Sequence, residues 1–225
     1  MAKENFKKED EQLENVGEAL NTAGLWIEAH QNLLMGIVVA IAVVVLGCIA
    51  LNNYVIKPHA LEASNENAKA VEYFMQGQWG TALNGDDAEC IGFLAVADEY
   101  AMYQQGELAN LYAGICYYQL GQYEESAACL KKFSADDLMI NPASYQLLGD
   151  AYVQMGELEK ALKAYDASIK SGNDLLSPMS LKKAGLVYME LGKKAEAKKC
   201  FEQIHDNYPQ SQEAQDIEKY VLLAQ

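Results

Sequence analysis

The sequence contains no arginine, and it has only three histidines and four prolines in 225 residues. All 17 basic residues are lysines, and the 32 acidic residues leave a formal net charge of −15 at pH 7. A chain of this charge repels the phosphate backbone of nucleic acids, because binding there depends on Lys and Arg side chains that neutralise phosphates. We therefore predict no nucleic-acid partner.

Sequence motifs of catalysis are also missing. His30, His59 and His205 lie far apart, and there is no H-E-x-x-H, G-x-S-x-G, P-loop or paired C-x-x-C pattern. Adjacent carboxylates such as Asp136-Asp137 fall at expected turns and helix ends, where acids interact with helix dipoles. The cysteines outside the longest apolar run are expected to be small buried hydrophobic residues, and their number is compatible with either redox compartment. We expect a protein that is not an enzyme and that needs no cofactor or metal.

One long segment lacks charge altogether. It reads LLMGIVVAIAVVVLGCIAL, from Leu33 to Leu51, and as a helix it would be about 30 Å long, enough to cross a hydrocarbon core. We predict one transmembrane helix over residues 33–51 that contacts membrane lipid, with aromatic residues at both interfaces. The predicted anchor residues are Leu33, Ile37, Val44 and Leu51 in the span, and Trp26 and Tyr54 beside it.

Two other interpretations of this segment are disfavoured. A cleaved secretory signal has a short basic start and a shorter apolar run, whereas 32 largely acidic residues precede this run and no A-x-A site follows it. The letters VLGC, residues 45–48, resemble a lipoprotein processing box, but the cysteine is far from the start and no lysine adjoins the run.

The residues alone leave the orientation open. No lysine occurs in residues 15–32, while Lys57 and Lys69 follow the span, which would place the C-terminal part in the cytoplasm. Three lysines within residues 1–8 favour a cytoplasmic N-terminal tail instead, and long C-terminal domains translocate largely regardless of charge.

The tail of residues 1–32 contains a weakly amphipathic pattern between Asp10 and His30. We predict a juxtamembrane helix that lies on a protein partner rather than on an anionic membrane surface, because its second face is acidic; a loosely ordered tail is the alternative. The apolar side of this helix comprises Leu13, Val16, Leu20, Gly24 and Ile27.

The C-terminal part repeats itself. The segments NLYAGICYYQLGQYEESAACL, SYQLLGDAYVQMGELEKALKAY and SLKKAGLVYMELGKKAEAKKCF place Gly121, Gly156 and Gly192 at the same point, with periods of 35 and 36 residues. Self-similarity at this period predicts helical hairpins stacked into a solenoid.

The repeated positions follow the tetratricopeptide pattern. Small residues occur where two helices would cross closely, and large residues occur where they would fill the adjacent hollows. The first copy departs from the pattern at Asn110, and prolines mark the borders between units. In the second copy the pattern positions are Tyr145, Leu148, Gly149, Tyr152, Ala161, Tyr165 and Ser168.

We therefore predict an all-α protein in which an N-terminal single transmembrane helix precedes a tetratricopeptide-like α-solenoid. Residues 107–209 form three repeats. Residues 60–105 form a divergent hairpin, with one helix over 60–83 after a break at Lys57-Pro58, the turn ALNGDD, and a second helix over 91–103. Residues 211–225 form one capping helix that begins at Ser211.

The first helices of successive repeats are expected to line a concave partner-binding face. This face is mixed and fairly apolar and lacks a clamp for a charged tail, so we expect an extended or helical apolar segment as its ligand. The alternative is that these residues only complete the packing of the solenoid. The predicted groove residues are Leu111, Ile115, Tyr118, Gln119, Gln146, Asp150, Val153, Lys182, Leu186 and Met189.

From residue 60 onward, and with the single span before it, the chain resembles the membrane-anchored tetratricopeptide family of ancillary subunits of the bacterial Sec translocon. The resemblance rests on ALNGDD followed by GFL and DEY, then NLYAGICYYQLGQYEE, GDAYVQMGELEKAL, KAGLVYMELG, and NYPQS before DIEKY. It implies a bacterial inner-membrane protein with a cytoplasmic N-terminus and periplasmic repeats. It also implies partners, namely the SecY-SecE-SecG channel and a membrane-anchored periplasmic peptidyl-prolyl isomerase-like chaperone, and a role in the biogenesis of secreted or membrane proteins.

Two other functions use the same repeats. One is a scaffold for envelope assembly, in outer-membrane-protein assembly or cell-division coordination, and the other is a peptide adaptor that faces the cytoplasm. The chain departs from the repeat pattern at Asn110 and contains no arginine, so we do not carry over to it any salt bridge that members of the family make with their partners.

Overall fold

The computed structural model describes residues 25–26, 28–86 and 88–225. The predicted amphipathic helix of residues 10–30 therefore lies mostly outside the described residues. The chain divides into two compact units, Met1–Pro58 and His59–Gln225.

The described part of the first unit is built around helix α1, Gln31–Leu51, which a short π-helical segment, Asn52–Ile56, follows. None of the residues of α1, all of which are described, is buried. The six predicted anchor residues are 47% to 83% exposed, and the ring of Trp26 stacks on that of His30 at a centroid distance of 4.6 Å. A helix of this length and composition fits a single-pass membrane anchor or a signal sequence.

The boundary between the two compact units falls at the predicted break, directly after Pro58. The prediction that a helix starts only at residue 60 is wrong, because helix α2 is assigned from Lys57 to Met75. Pro58 falls in the first turn of α2, where a missing backbone N–H is tolerated. Just before it the π-helical segment shifts the hydrogen-bond pattern, and the Lys57 N–H donates to the Asn52 carbonyl.

The predicted single helix over 60–83 is also wrong, because α2 ends before Gly77 and a new helix, α3, runs from Trp79 to Asn84. Gly77 has φ +73°, its N–H donates to the Phe74 carbonyl at 3.0 Å, and the Gln78 N–H donates to the Tyr73 carbonyl at 3.0 Å. This is a helix-ending Schellman turn, which needs a residue in the left-handed region. The same turn occurs in all three predicted repeats, at glycines with φ between 71° and 76°.

The second unit is a solenoid of helical hairpins, as the sequence predicts. After α3 the helices are α4 Gly92–Glu99, α5 Gln104–Gln119, α6 Tyr123–Leu130, α7 Ile140–Gln154, α8 Leu158–Ile169, α9 Leu176–Glu190 and α10 Lys194–Asn207. The three predicted repeats are the pairs α5–α6, α7–α8 and α9–α10. The pair α2–α3 has the same turn and precedes them.

Close helix crossings explain the small residues of the repeats. A Cβ atom added to Gly149 would lie 2.4 Å from Cε1 of Tyr165, and one added to Gly185 would lie 2.3 Å from Cε1 of Phe201. Both aromatic rings are buried. Each glycine therefore lets the first helix of a hairpin rest directly on an aromatic ring of the second.

A tight loop separates α3 from α4. The Asp86 carboxylate accepts the Tyr73 hydroxyl at 2.6 Å and the backbone N–H groups of Ala88, Glu89 and Cys90 at 2.7 to 3.0 Å. These bonds, above all that from Tyr73, hold the pKa of Asp86 well below its usual range, since each stabilises the ionised carboxylate. The carboxylate thus ties the loop to α2.

The C-terminal segment is not the single predicted helix. A 3₁₀ turn, Glu213–Asp216, precedes helix α11, Ile217–Leu223. Ser211 caps the 3₁₀ turn rather than an α-helix, because its Oγ accepts the Ala214 N–H at 3.2 Å. Ile217 is fully buried and belongs to the same apolar cluster as Phe201, so α11 covers the last hairpin.

Candidate peptide-binding groove

An apolar groove lies between the first helices of the first two repeats, and we name it the α5–α7 groove. Its volume is about 570 Å³. Nearly all of its lining is apolar, which suits a peptide that presents aliphatic side chains. The lining residues are Leu108, Leu111, Tyr112 and Ile115 of α5, Ile140, Ala143, Ser144 and Leu147 of α7, and Met139 and Leu176.

The rim of the groove presents large apolar side chains to solvent. Leu138, Met139 and Ile140 are 73%, 49% and 46% exposed, and Leu175 is 59% exposed. Clustered exposure of this kind marks interaction surfaces, whereas isolated exposed apolar residues are ordinary.

Two polar side chains fix this rim. The Asp137 carboxylate accepts the backbone N–H groups of Met139 and Ile140 at the start of α7. The Asn173 amide donates to the Leu138 carbonyl at 2.7 Å, and its oxygen accepts the N–H groups of Leu175 and Leu176 at 2.9 Å. The segment before α7 and the segment before α9 are therefore both held by hydrogen bonds in the conformation that exposes their apolar side chains.

One wall of the groove is braced by aromatic packing. The ring of Tyr112 stacks on Phe93 at a centroid distance of 5.0 Å, and Phe74 meets Tyr112 edge-on at 5.1 Å. Phe93 is fully buried. Tyr112 is thereby fixed by contacts with α2 and α4, so the wall does not depend on the repeats alone.

The structure brings two of the ten predicted groove residues, Leu111 and Ile115, into the α5–α7 groove. Tyr118 is half-buried and packs its ring edge-on against Tyr123 at 5.4 Å. Gln119 and Leu186 are exposed, Val153 and Met189 are half-buried, and Gln146 is buried.

Asp150 is occupied by contacts within the solenoid. One oxygen accepts the Tyr165 hydroxyl at 2.7 Å, and the other forms an ion pair with Lys183 of the next repeat at 2.5 Å. Burial and the Asp150 charge raise the pKa of Tyr165. Asp150 therefore joins the second and third repeats.

Lys182 also has a structural partner. Its Nζ lies 2.7 Å from Oδ1 of Asp216 and 4.9 Å from the ring centroid of Tyr220. The side chain thus joins the third repeat to the C-terminal segment.

Most of the residues that line the α5–α7 groove are not among the ten predicted from the sequence, which follow the whole length of the first helices. The α5–α7 groove is lined by the middle of α5, residues 108–115, by the first half of α7, residues 140–147, and by the linking segment before α7. The sequence signal was the apolar run Leu138–Ile140 directly after two aspartates, where a linker would ordinarily be polar.

No disulfide joins the five cysteines, all of which are described. Burial raises the pKa of the Cys116 thiol to about 12 and that of Cys200 to about 11, so both are protonated at neutral pH. In the described residues no three His, Cys, Asp or Glu side chains are grouped so that they could hold a metal ion.

Comparison with known families identifies the repeats. One tetratricopeptide-repeat model matches residues 108–136 and 181–211, and a second matches residues 142–171. Two crystal structures of a putative kinesin light chain from Podosopora anserina with nearly identical TPR-like repeats, one of them a point variant, are similar to this chain. Both have a TM-score of 0.54 and 16% identity, and the alignments cover 74% of this chain and 86% of theirs. A search of curated proteins gives no match.

Tetratricopeptide repeats are therefore present, and the fold is a tetratricopeptide-like solenoid. Repeats of this class act through contacts with other proteins and are typically found in non-catalytic scaffolds. A protein-protein interaction role follows from the repeats.

Proposed function

We propose that this protein is a membrane-anchored interaction subunit of the bacterial Sec translocon. In this proposal α1 anchors the chain in the inner membrane, with the N-terminus in the cytoplasm and the repeats in the periplasm. The repeats contact the SecY-SecE-SecG channel and a membrane-anchored peptidyl-prolyl isomerase-like chaperone, and they assist the biogenesis of secreted or membrane proteins.

One observation carries the proposal: an uncharged helix of 21 residues, none of them buried, precedes a repeat array that holds an exposed apolar groove. A soluble scaffold needs no such helix, whereas a helper of translocation must remain beside the membrane. The resemblance in the repeats and in the turn ALNGDD supports the choice of the translocon among membrane complexes.

The proposed residue divisions are a tail over 1–32, a span over 33–51, an N-terminal hairpin region over 60–105, three repeats over 107–209 and a cap over 211–225. The turn at Gly77 supports an N-terminal hairpin, with α2 and α3 as its two helices.

The test is a pull-down of the full-length protein from native membranes, followed by mass spectrometry. We expect recovery of the channel subunits and of the chaperone. Recovery of outer-membrane-assembly or cell-division proteins without the channel would favour the envelope scaffold instead. Protease accessibility of a C-terminal tag in spheroplasts tests the orientation, and a tag protected from protease would support the cytoplasmic adaptor.

A further inference from the structure

We infer that the α5–α7 groove binds an apolar peptide segment flanked by basic residues, and that these basic residues lie over the acidic N-terminal half of the solenoid. The inference rests on the proposed interaction function and specifies the chemistry of the ligand.

The apolar part of the ligand follows from the groove itself. Its lining offers side-chain polar atoms only from Ser144 and Tyr112, so a charged side chain inside it would lose hydration without gaining a partner. The exposed rim residues Leu138 and Leu175 extend the same apolar surface beyond the groove. Because hydrogen bonds with Asp137 and Asn173 already fix the conformation of the rim, a peptide can bind with little reordering of the protein.

The basic part follows from the distribution of charge. Residues 60–130, which include the α5 wall, contain eleven acidic residues and a single lysine, Lys69. That lysine already forms an ion pair with Glu66 at 2.7 Å. The pair α9–α10, residues 176–207, contains six lysines and four acidic residues. The C-terminal segment after it adds Glu213, Asp216 and Glu218 against Lys219, so residues 176–225 are neutral overall. The field along the solenoid is thus most negative toward α2–α5 and weakens toward its other end.

Three acids on α4 and α5 are available to a ligand. Asp98, Glu99 and Glu107 form no ion pair with any described residue, and Glu107 directly precedes the groove residue Leu108. Lysines of a bound peptide that lie within a Debye length of about 8–10 Å would be attracted to them. The lysine nearest in sequence to Asp98 and Glu99 is Lys69, which is paired with Glu66, and the one nearest to Glu107 is Lys131, which follows α6 rather than α5.

The experiment uses full-length protein in nanodiscs of zwitterionic lipid and three fluorescent 14-residue peptides. All three share one apolar centre, and their flanks carry lysines, serines or glutamates. Fluorescence anisotropy should show the lysine-flanked peptide binding roughly tenfold more tightly than the serine-flanked one, since several exposed charge pairs each add a little. The glutamate-flanked peptide should bind most weakly, and 0.5 M salt should reduce these differences.

Two matched sets of variants locate the effect. The triple variant Asp98→Asn, Glu99→Gln, Glu107→Gln should lose most of the preference for lysine but still bind the serine-flanked peptide. The control triple variant Glu190→Gln, Glu196→Gln, Glu218→Gln removes the same charge from the other end and should keep the preference. The double variant Met139→Ser, Ile140→Ser should weaken the binding of all three peptides. The control double variant Leu222→Ser, Leu223→Ser changes exposed leucines of α11 and should leave the binding of all three unchanged.

Equal affinity for the three peptides would overturn the inference, and so would an equal loss of preference in both triple variants. If no peptide binds while the pull-down still recovers translocon partners, the inference fails and the proposed function stands. If the peptides bind as expected while the pull-down recovers no translocon partner, the groove chemistry holds and the proposed function fails.

Discussion

Single residues set the spacing between paired helices. Gly149 illustrates this, because the ring of Tyr165 occupies the space that a side chain would need. The Tyr165 hydroxyl is bonded to Asp150, and the ring is buried, so it has little freedom to move aside.

Replacing Gly149 by alanine should destabilise the solenoid by about 1–3 kcal/mol, because either the ring or the helix must shift. Urea unfolding followed by circular dichroism measures this change. Gly80→Ala is the matched control: Gly80 lies within helix α3 with nothing within 4 Å of an added Cβ. There alanine should stabilise the protein by about 0.5–1 kcal/mol. Equal stabilities of the two variants would show that Gly149 is not a helix-crossing position.

The lowered pKa of Asp86 predicts that the stability of the folded protein depends on pH. Its pKa is lowered in the folded protein from an ordinary value of 3.8, so its hydrogen bonds stabilise the folded state fully above that value. The contribution decreases as the pH falls below about 4 toward the native pKa. Asp86→Asn should therefore be destabilising at pH 7, and the difference from wild type should shrink at pH 3. Unfolding curves at the two pH values measure this, and a difference that is constant with pH would contradict the assignment.

Among the elements, the three repeats could be predicted from the sequence because small residues and glycines recur every 35 or 36 residues. The turn at Gly77 was missed because the distance to Gly121 is 44 residues, which hides the periodicity. The cause is local: after α3 the chain forms the Asp86 loop before it becomes helical again at Gly92. The loop and α4 lie between this hairpin and the first repeat, so they lengthen the spacing without changing the turn at Gly77.

The groove was less predictable than the fold. The period places Leu111 and Ile115 correctly on the first helix, but it carries no information about linking segments. The conformation of the Leu138–Ile140 segment depends on backbone N–H groups that donate to Asp137 and on the amide of Asn173, 35 residues from Leu138, which donates to the Leu138 carbonyl. Such contacts follow from the packing of two neighbouring repeats and have no period of their own.

Helix α11 is expected to stabilise the whole last hairpin. Ile217→Ala should cost about 2–5 kcal/mol, since Ile217 is fully buried against that hairpin and its truncation leaves a cavity. Leu222→Ala, on the same helix but 65% exposed, should change stability by less than about 0.5 kcal/mol. Hydrogen exchange of α10 should accelerate only in the first variant. Unchanged protection of α10 in Ile217→Ala would mean that α11 is not a cap.

For the whole molecule, the anchor and the solenoid act together in the proposed function. A membrane helix confines the solenoid to the neighbourhood of the bilayer, so a weak binding groove gains effective concentration toward neighbouring membrane proteins and their clients. The compact unit His59–Gln225 contains its own apolar clusters, and we expect it to fold without α1. Its affinity for a membrane complex should nevertheless depend on tethering.

The measurement that tests this account most directly is a quantitative pull-down from membranes that compares three proteins. These are the full-length chain, the fragment 59–225, and a chimera in which an unrelated transmembrane helix replaces residues 33–51. We predict that the full-length chain recovers the translocon, that the fragment keeps its helical circular dichroism spectrum but loses most of the recovery, and that the chimera recovers less than the full-length chain. If the folded fragment recovers the channel as well as the full-length chain does, the proposed anchoring mechanism is contradicted.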